Sequence, residues 1–365
     1  MMNPMKRGGF LAVCLVLLAG QWIGHAQPGR SRLIDDVESA FARIQVVGEH
    51  LTARTNGLIP EPRYRTSMRN WFGLLNHFQG IQRLPDRNYL ILSGSNPRSS
   101  ASELFVVRLD GDMGDVVARI GVDSAMWHAG GLSTVGRILA VPLHGASPRH
   151  AKVVFYDVSD PEHPVRLPVE IDRPGRKASA VAITDLPSGR FLAAVLSAYD
   201  GLPRRMDFYL SRSAVLEDGF LPGLVTWHVR DVNARVGQDR TFSHFQGLNF
   251  VRQTDGRLYL VGFHNSVASP AVLPGRDYAD LYEVAFPAGT LEGIVPALAR
   301  PNVIKTANRL LRCTGGYCNM DAAAGLFIDA ETQSLSVYAA PGWLSGNVVR
   351  TTVYRGESPP ADRRW

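Results

Sequence analysis

Residues 77–81 read His-Phe-Gln-Gly-Ile, and residues 244–248 read His-Phe-Gln-Gly-Leu. Each segment is followed by a polar turn, a short apolar strand and a further strand that begins with an acidic residue. These two strands begin at Tyr89 and Glu103 in the first copy, and at Leu258 and Asp280 in the second. Such element-by-element similarity within one chain is typical of a repeat protein.

Three weaker copies of the same pattern complete the series. The copies start near residues 77, 128, 178, 244 and 319, so their spacings are about 51, 50, 66 and 75 residues. Periods of this length with several strands each are typical of propeller blades. The sequence therefore predicts an all-β fold, a β-propeller of about five four-stranded blades over residues 64–365. Six blades stay an alternative, and the longer spacings place insertions around 216–240 and 285–312.

One segment carries a family resemblance. Residues 153–165 read Val-Val-Phe-Tyr-Asp-Val-Ser-Asp-Pro-Glu-His-Pro-Val. This segment resembles the LVIVD repeat of bacterial and archaeal surface propellers, which has an Asp-Val-Ser-Asp-Pro core. The resemblance covers one strand and turn, and the other four copies lack the Ser-Asp-Pro turn. It implies a secreted bacterial propeller and no particular activity, since fold alone does not define function.

The N-terminus has the features of a signal peptide. Lys6 and Arg7 precede a short apolar run over residues 10–20, and small residues follow at Gly24 and Ala26. We predict a signal peptide over residues 1–26, cleaved after Ala26. The mature chain is then extracytoplasmic, either periplasmic or secreted, with no transmembrane segment. A membrane anchor is the alternative, but the run is shorter than the roughly 20 residues that span a bilayer.

Residues 27–63 differ from the repeats and are predicted to form an N-terminal helix and linker. Ile34, Val37, Phe41 and Ile44 recur at helical spacing, as does Leu51, which predicts one amphipathic helix over about 31–53. We expect this helix to pack on the outside of the propeller or to cover one end of it.

Cysteine and charge restrict the remaining classes. Outside the signal peptide only Cys313 and Cys318 remain, and in an oxidising compartment we expect them to form a disulfide. The formal net charge of +6 is spread along the chain rather than clustered. We therefore expect no nucleic-acid partner.

Polar residues recur at two positions of the repeat: the start of the first strand and the end of the second. In a propeller blade both positions open on the same face, at one mouth of the central channel. The candidate ligand-binding residues are His77, Gln79, Asn96, His128, His144, His244, Gln246, His264 and Asn265.

Several roles fit these residues. Neutral histidines bind divalent and transition metals, which makes His77, His128 and His244 candidate ligands for an ion of unknown identity at the axis. Histidines also act as general acids or bases, and nearby Gln and Asn side chains would orient a polar ligand. The repeated His-Phe-Gln-Gly is equally explained as a structural motif of the blade, with the glycine allowing a tight start to the first strand.

The sequence contains no motif that defines a reaction, so catalytic residues are unknown and whether the protein is an enzyme stays open. Our main hypothesis is a secreted or periplasmic propeller that binds a small molecule, a glycan or a protein at this mouth. The alternative is a metal- or His-dependent extracytoplasmic enzyme, a hydrolase, lyase or oxidoreductase, that uses the same face. A purely structural envelope protein is the third possibility.

Overall fold

The computed structural model describes residues 31–60, 64, 76–85, 87–96, 101–145, 150–197, 204–222, 225–266, 276–288 and 299–359. The expected signal peptide lies outside these residues. Within them the chain is almost entirely β, with one α-helix, α1 (Val37–Ala42), and two short 3-10 helices, Leu216–Asp218 and Val229–Asp231.

The strands are β1 (Leu33–Ile34), β2 (Glu49–Arg54), β3 (His77–Arg83), β4 (Tyr89–Asn96), β5 (Ala101–Asp110), β6 (Met113–Asp123), β7 (His128–Ala129), β8 (Ser133–Val135), β9 (Ile138–His144), β10 (Ala151–Asp157), β11 (Val165–Asp172), β12 (Ala180–Asp185), β13 (Phe191–Ser197), β14 (Arg205–Leu210), β15 (Val225–His228), β16 (Asn233–Ala234), β17 (Gly247–Gln253), β18 (Leu258–Asn265), β19 (Asp277–Ala285), β20 (Asn302–Leu311), β21 (Ala323–Asp329), β22 (Ser334–Ala340) and β23 (Val348–Tyr354).

These strands form five antiparallel meanders, each of which is one blade. The blades are β3–β6, β7–β11 with the inner strand divided into β7 and β8, β12–β15, β17–β20, and β21–β23 with β2. Five hydrophobic clusters lie between successive blades, the last of them between the fifth blade and the first. The ring is therefore closed, and the predicted five-bladed β-propeller is confirmed.

The N-terminal segment departs from the prediction. The helix expected over 31–53 is confined to Val37–Ala42, and residues 49–54 form β2 instead. β2 pairs antiparallel with β23 and, through Thr52–Arg54, parallel with β6. Extended pairing to two edge strands buries Leu51 and Ala53 against the neighbouring blades, and this tertiary contact overrides the helical spacing of the apolar residues. β2 supplies the fourth strand of the fifth blade and thereby links it to the first.

Glycines allow the inner strands to approach one another closely at the centre of the ring. An added Cβ on Gly247 would lie 2.1 Å from the Ala324 carbonyl oxygen, and one on Gly325 would lie 1.9 Å from that of Ile81. A Cβ on Gly131 would lie 1.8 Å from the carbonyl oxygen of Gln246, which belongs to a blade that is not its neighbour. The channel is thus closed at this level by backbone contact across the axis.

Below this level the axis is filled by a polar network. The Asn249 amide donates to Gln82 Oε1 at 2.9 Å, and the Gln82 amide donates to the Leu326 carbonyl at 2.7 Å. The Leu326 backbone N–H donates in turn to Asn249 Oδ1 at 3.0 Å. Because these buried groups satisfy one another, they fix three blades relative to each other. The two mouths of the propeller are therefore separate sites.

The predicted disulfide is confirmed: Cys313 and Cys318 are bonded, with their Cα atoms 5.7 Å apart. They lie in the segment that connects β20 to β21. The Tyr354 hydroxyl donates to Cys318 Sγ at 3.3 Å, and the neighbouring Met320 backbone N–H donates to Asp277 at 3.0 Å. The disulfide therefore holds the approach to the fifth blade in one conformation.

Candidate functional site

The candidate residues lie at one mouth of the propeller because the first two strands of each blade are antiparallel. His77 at the start of β3 pairs with Ser95 near the end of β4, and His128 at the start of β7 pairs with His144 at the end of β9. Gly247 at the start of β17 pairs likewise with Phe263, one residue before His264. The candidates fall into two groups on this face.

The first group consists of three histidines from the first two blades. The rings of His128 and His144 are stacked with centroids 4.0 Å apart, and those of His77 and His128 lie 6.4 Å apart. Trp127 packs against His128 at 5.4 Å. Nδ1 of His144 lies 3.0 Å from the carbonyl oxygen of Ala178, which ties the second blade to the third.

The environment of His128 favours the neutral ring. Burial lowers the pKa of His128 well below its usual value, and the charges of His144, His77 and Lys177 lower it further. Lys177 stands just before β12, so it occupies in the third blade the place that the histidines occupy in the others. A neutral imidazole beside a lysine provides hydrogen-bonding capacity without adding a second positive charge.

Several buried polar atoms around the axis have no hydrogen-bond partner among the described residues. They are Gln79 Oε1, Ser95 Oγ, His128 Nδ1 and Gln246 Oε1. Ser95 is fully buried, and Gln79 and Gln246 are 7% and 8% exposed. Unsatisfied buried polar atoms are uncommon in folded proteins and are usually explained by a water or a ligand. Asn96 is also buried here, with its backbone N–H donating to the Trp127 carbonyl at 3.1 Å.

The second group lines a cavity of about 610 Å³ beside the fourth blade. His244, His264 and Asn265 belong to this cavity. The other lining residues come from the segment before β14, from residues 228–230 and 240–243, from Ser266, and from Asp321, which follows Cys318 in the β20–β21 connection. A cavity of this volume is within the range of small-molecule sites, roughly 300–1,000 Å³.

His264 is held by a buried carboxylate. Its Nε2 lies 3.3 Å from Asp280 Oδ2, and its Nδ1 lies 3.3 Å from the Asn265 carbonyl oxygen. Burial tends to raise the pKa of Asp280, but the hydrogen bond and charge of His264, the charge of Lys305 and a hydrogen bond from Asn308 lower it overall. Asp280 thus stays ionised and fixes the orientation of the His264 ring.

Asp321 is the most strongly shifted carboxyl of this cavity. Burial raises the pKa of Asp321 from 3.8 to about 7. The charge of His264 opposes that shift, and the charge of Asp277 adds to it. Burial also raises the pKa of Asp277, which accepts hydrogen bonds from the Asn265 amide and the Met320 N–H, each at 3.0 Å. Near neutral pH, Asp321 therefore retains its proton in a substantial fraction of molecules.

His244 has the opposite tendency in the same cavity. Burial, and after it the charge of Arg204, lower the pKa of His244 below 6.5. The ring is therefore neutral near pH 7, when Asp321 is partly protonated. One cavity thus holds a group that can donate a proton and another that can accept one.

The structure does not assemble the three candidate metal ligands. His77 and His128 lie in the first group, whereas His244 lines the separate cavity. Within the described ranges, the one set of three potential ligand atoms within 4.8 Å is Asp277 with Cys313 and Cys318. These two sulfurs are joined in the disulfide, so they are not thiolate ligands. A metal bound by His77, His128 and His244 stays a prediction.

Sequence reasoning did not find the residues that give the cavity its character, namely Asp321, Arg204, His228, Arg230 and Arg240. Their repeat positions carry no common residue type, and the last three lie in the predicted insertion over 216–240. The lengthened spacing of the repeats was the one sequence feature that indicated the segments in which these residues lie. By contrast, Glu103 and Asp280 hold equivalent positions in two copies of the repeat, and both are paired with basic side chains, those of Arg119 and Lys305.

The chain is a five-bladed β-propeller with an open cavity at one mouth, lined by several charged and polar side chains. No family model matches it, and no curated protein matches it in sequence. The LVIVD resemblance is therefore not supported beyond the propeller itself. Within the described residues, no helix is long and apolar enough to cross a membrane.

Several solved structures are similar to it at low identity. A GH43_1 enzyme from Xanthomonas citri is 12% identical with a TM-score of 0.45, covering 87% of this chain and 92% of that one. An α-L-arabinanase from Penicillium chrysogenum, complexed with arabinobiose, is 11% identical with a TM-score of 0.42, covering 84% and 98%. A hypothetical protein from Leishmania major is 11% identical with a TM-score of 0.44, covering 88% and 94%. These values are too low to transfer a function.

Proposed function

We propose that this protein is an extracytoplasmic hydrolase that cleaves a glycosidic C–O bond by general acid–base catalysis in the cavity beside the fourth blade. The observation that carries the proposal is the pair formed by Asp321 and His244. They line one cavity, and their pKa values are displaced in opposite directions. This proposal corresponds to the enzyme that the sequence offered as the alternative hypothesis. An aspartate and a histidine take the place of the metal in it.

The proposed step balances with water as the only co-reactant. His244 accepts a proton from water, and the water oxygen forms a bond to the carbon as the C–O bond breaks. Asp321 donates its proton to the leaving oxygen. An alkoxide is a poor leaving group, which is why a carboxylic acid that stays protonated near pH 7 is useful here. Exchange with solvent then returns both groups to their starting states.

His264 acts as a positioning residue in this proposal. Its Nε2 lies 3.3 Å from the Asp280 carboxylate and its Nδ1 lies 3.3 Å from the Asn265 carbonyl oxygen, so the ring lies between two acceptors. The charge of His264 opposes the rise in the pKa of Asp321 that burial causes, so it favours the ionised carboxylate that is left after the proton has been donated.

The test is the release of reducing ends from a panel of polysaccharides and glycosides, measured from pH 5 to pH 9. Activity should fall as the pH rises through about 7, because Asp321 then loses the proton that it must donate. Asp321→Asn should lower kcat by roughly 10²–10⁴-fold. Asp172→Asn, which changes an exposed carboxyl at the end of β11, should leave it unchanged. A substrate cleaved equally well by Asp321→Asn would overturn the proposal.

Ligand binding at the axis is the second candidate function, as in our main hypothesis from the sequence. It is favoured by the buried polar atoms around the axis that have no partner among the described residues, above all Gln79 Oε1 and Gln246 Oε1. Gln79→Leu should raise the melting temperature, because it removes an unsatisfied buried oxygen, and should weaken binding on a glycan array. A variant that is less stable and binds unchanged would assign Gln79 to the scaffold.

A further inference from the structure

We infer that the cavity beside the fourth blade binds an oxyanion, so that the substrate carries a carboxylate, phosphate or sulfate group. The inference rests on the proposed function, which places the reacting bond in this cavity. The charge of the ligand is inferred from the residues that line the cavity.

The charge of the cavity is the first argument. Arg204, Arg230 and Arg240 all line it, together with His228, while Asp321 is the one acidic residue among the lining residues. Three guanidinium groups against one carboxyl that tends to keep its proton give the site a strongly positive potential. Such a concave surface concentrates anions and excludes cations.

These arginines have no counter-ion among the residues that the structure describes. Among the described residues, none of the three forms an ion pair with a carboxylate, whereas other exposed arginines do. Arg235, for example, bridges Glu38 and Glu283 at 2.6 and 2.8 Å. Arg204 is held in place by a hydrogen bond from its Nη1 to the Phe242 carbonyl at 3.4 Å. A guanidinium matches the two oxygens of a carboxylate or phosphate in a bidentate arrangement.

The third argument is the position of these arginines in the fold. Arg204 precedes β14, Arg230 lies in the 3-10 helix after β15, and Arg240 lies in the segment that leads to the fourth blade. They are far apart in sequence and converge on one cavity. His228, from the end of β15, adds a buried Nδ1 without a hydrogen-bond partner among the described residues. A ligand bound among these converging side chains would supply the hydrogen-bond partner that His228 Nδ1 lacks.

The experiment is isothermal titration of the protein with D-glucuronate, with inorganic phosphate and with neutral D-glucose. We expect glucuronate or phosphate to bind, D-glucose to bind at least tenfold more weakly, and the difference to shrink in 1 M NaCl because salt screens exposed charges. Binding of glucuronate alone identifies a carboxylate site, and binding of phosphate alone identifies a phosphate site. No binding of either anion, or equal binding of glucose, would overturn the inference.

Variants locate the site. Arg230→Ala and Arg240→Ala change exposed side chains, so folding should be preserved, and each should weaken anion binding about tenfold or more. Arg212→Ala removes an exposed arginine outside the cavity and should leave binding unchanged. If the two cavity variants behave like Arg212→Ala, the anion binds elsewhere and the inference fails.

Asp321→Asn separates this inference from the proposed function. It should bind the anion at least as tightly as the unchanged protein, because it removes the nearest negative charge, and it should lose turnover. Anion binding without turnover of any tested substrate would contradict the proposed hydrolase and leave the anion site standing. Turnover of neutral glycosides without anion binding would support the hydrolase and contradict the anion site.

Discussion

Replacing Asp321 with asparagine should make the protein more stable at alkaline pH, although Asp321 is the proposed acid. Burial raises its pKa from 3.8 to about 7 in the folded state. The folded protein therefore holds this proton more tightly than the unfolded chain does. At a pH below the pKa that Asp321 has in the unfolded chain, both states are protonated and Asp321 does not lower the free energy of unfolding. As the pH rises the unfolded chain ionises first, so ionisation favours unfolding until the folded pKa is passed.

The size of this effect follows from linkage. A shift of about three pKa units corresponds to roughly 4 kcal/mol once both states are ionised. Between pH 5 and pH 8 the destabilisation should grow by roughly 2–3 kcal/mol. Asparagine does not ionise and has nearly the shape of the protonated carboxyl, so Asp321→Asn should remove this pH dependence.

Urea unfolding of both proteins at pH 5, 6, 7 and 8 measures the difference directly. Asp280→Asn is the matched control, since that buried carboxylate pairs with His264 and Lys305 and has a lowered folded pKa. Its stabilising effect is present above the unfolded pKa and is lost as the pH falls through the folded value. Asp280→Asn should therefore destabilise at pH 8. An Asp321→Asn stability difference that is independent of pH, or negative at pH 8, would refute the reasoning.

Three further perturbations test the scaffold that holds the site. Replacing both Cys313 and Cys318 with serine should cost about 2 kcal/mol in urea unfolding. Turnover should also fall, because Asp321 follows Cys318 in the β20–β21 connection that the disulfide holds; unchanged turnover would contradict this. Gly131→Ala should cost at least about 3 kcal/mol, because its Cβ would lie 1.8 Å from a backbone oxygen. Gly145→Ala is the control and should not change stability, since the nearest atom to its Cβ would be 3.6 Å away. Equal losses of stability in the two variants would refute the close packing at the axis. Arg173→Met should cost about 1–3 kcal/mol, since it removes one buried partner of Asp207, which keeps its ion pair with Arg176 at 2.6 Å; no loss of stability would argue against the pairing of Arg173 with Asp207.

The repeat pattern was sufficient to predict the blades. In His-Phe-Gln-Gly, the Phe78 and Phe245 side chains are buried in the clusters between blades, and the glycines Gly80 and Gly247 allow inner strands to touch. These constraints act on every blade, so they leave a periodic signal in the sequence. The histidines of the motif open toward the mouth, which explains why one motif carried both the structural and the functional interpretation.

The helix prediction shows where local pattern fails. The spacing of Val37, Phe41 and Ile44 is helical, and the helix indeed covers Val37–Ala42. Leu51 seemed to continue it, but Leu51 faces the cluster between the fifth and first blades from strand β2. Only the pairing with β23, three hundred residues further along the chain, decides this, and no local window contains that information.

The cavity lies where the repeats are least alike. Spacings near 50 residues separate the first three blades, and the spacings grow to about 66 and 75 on either side of the fourth. The extra residues before β17 supply His228, Arg230 and Arg240, and the β20–β21 connection, just beyond the disulfide, supplies Asp321. Residues that repeat in every blade build a symmetric scaffold, and symmetry alone cannot bring one acid and one base into a single cavity. The chemistry of this mouth therefore depends on the insertions, and the irregular spacing of the repeats is the sequence feature that locates it.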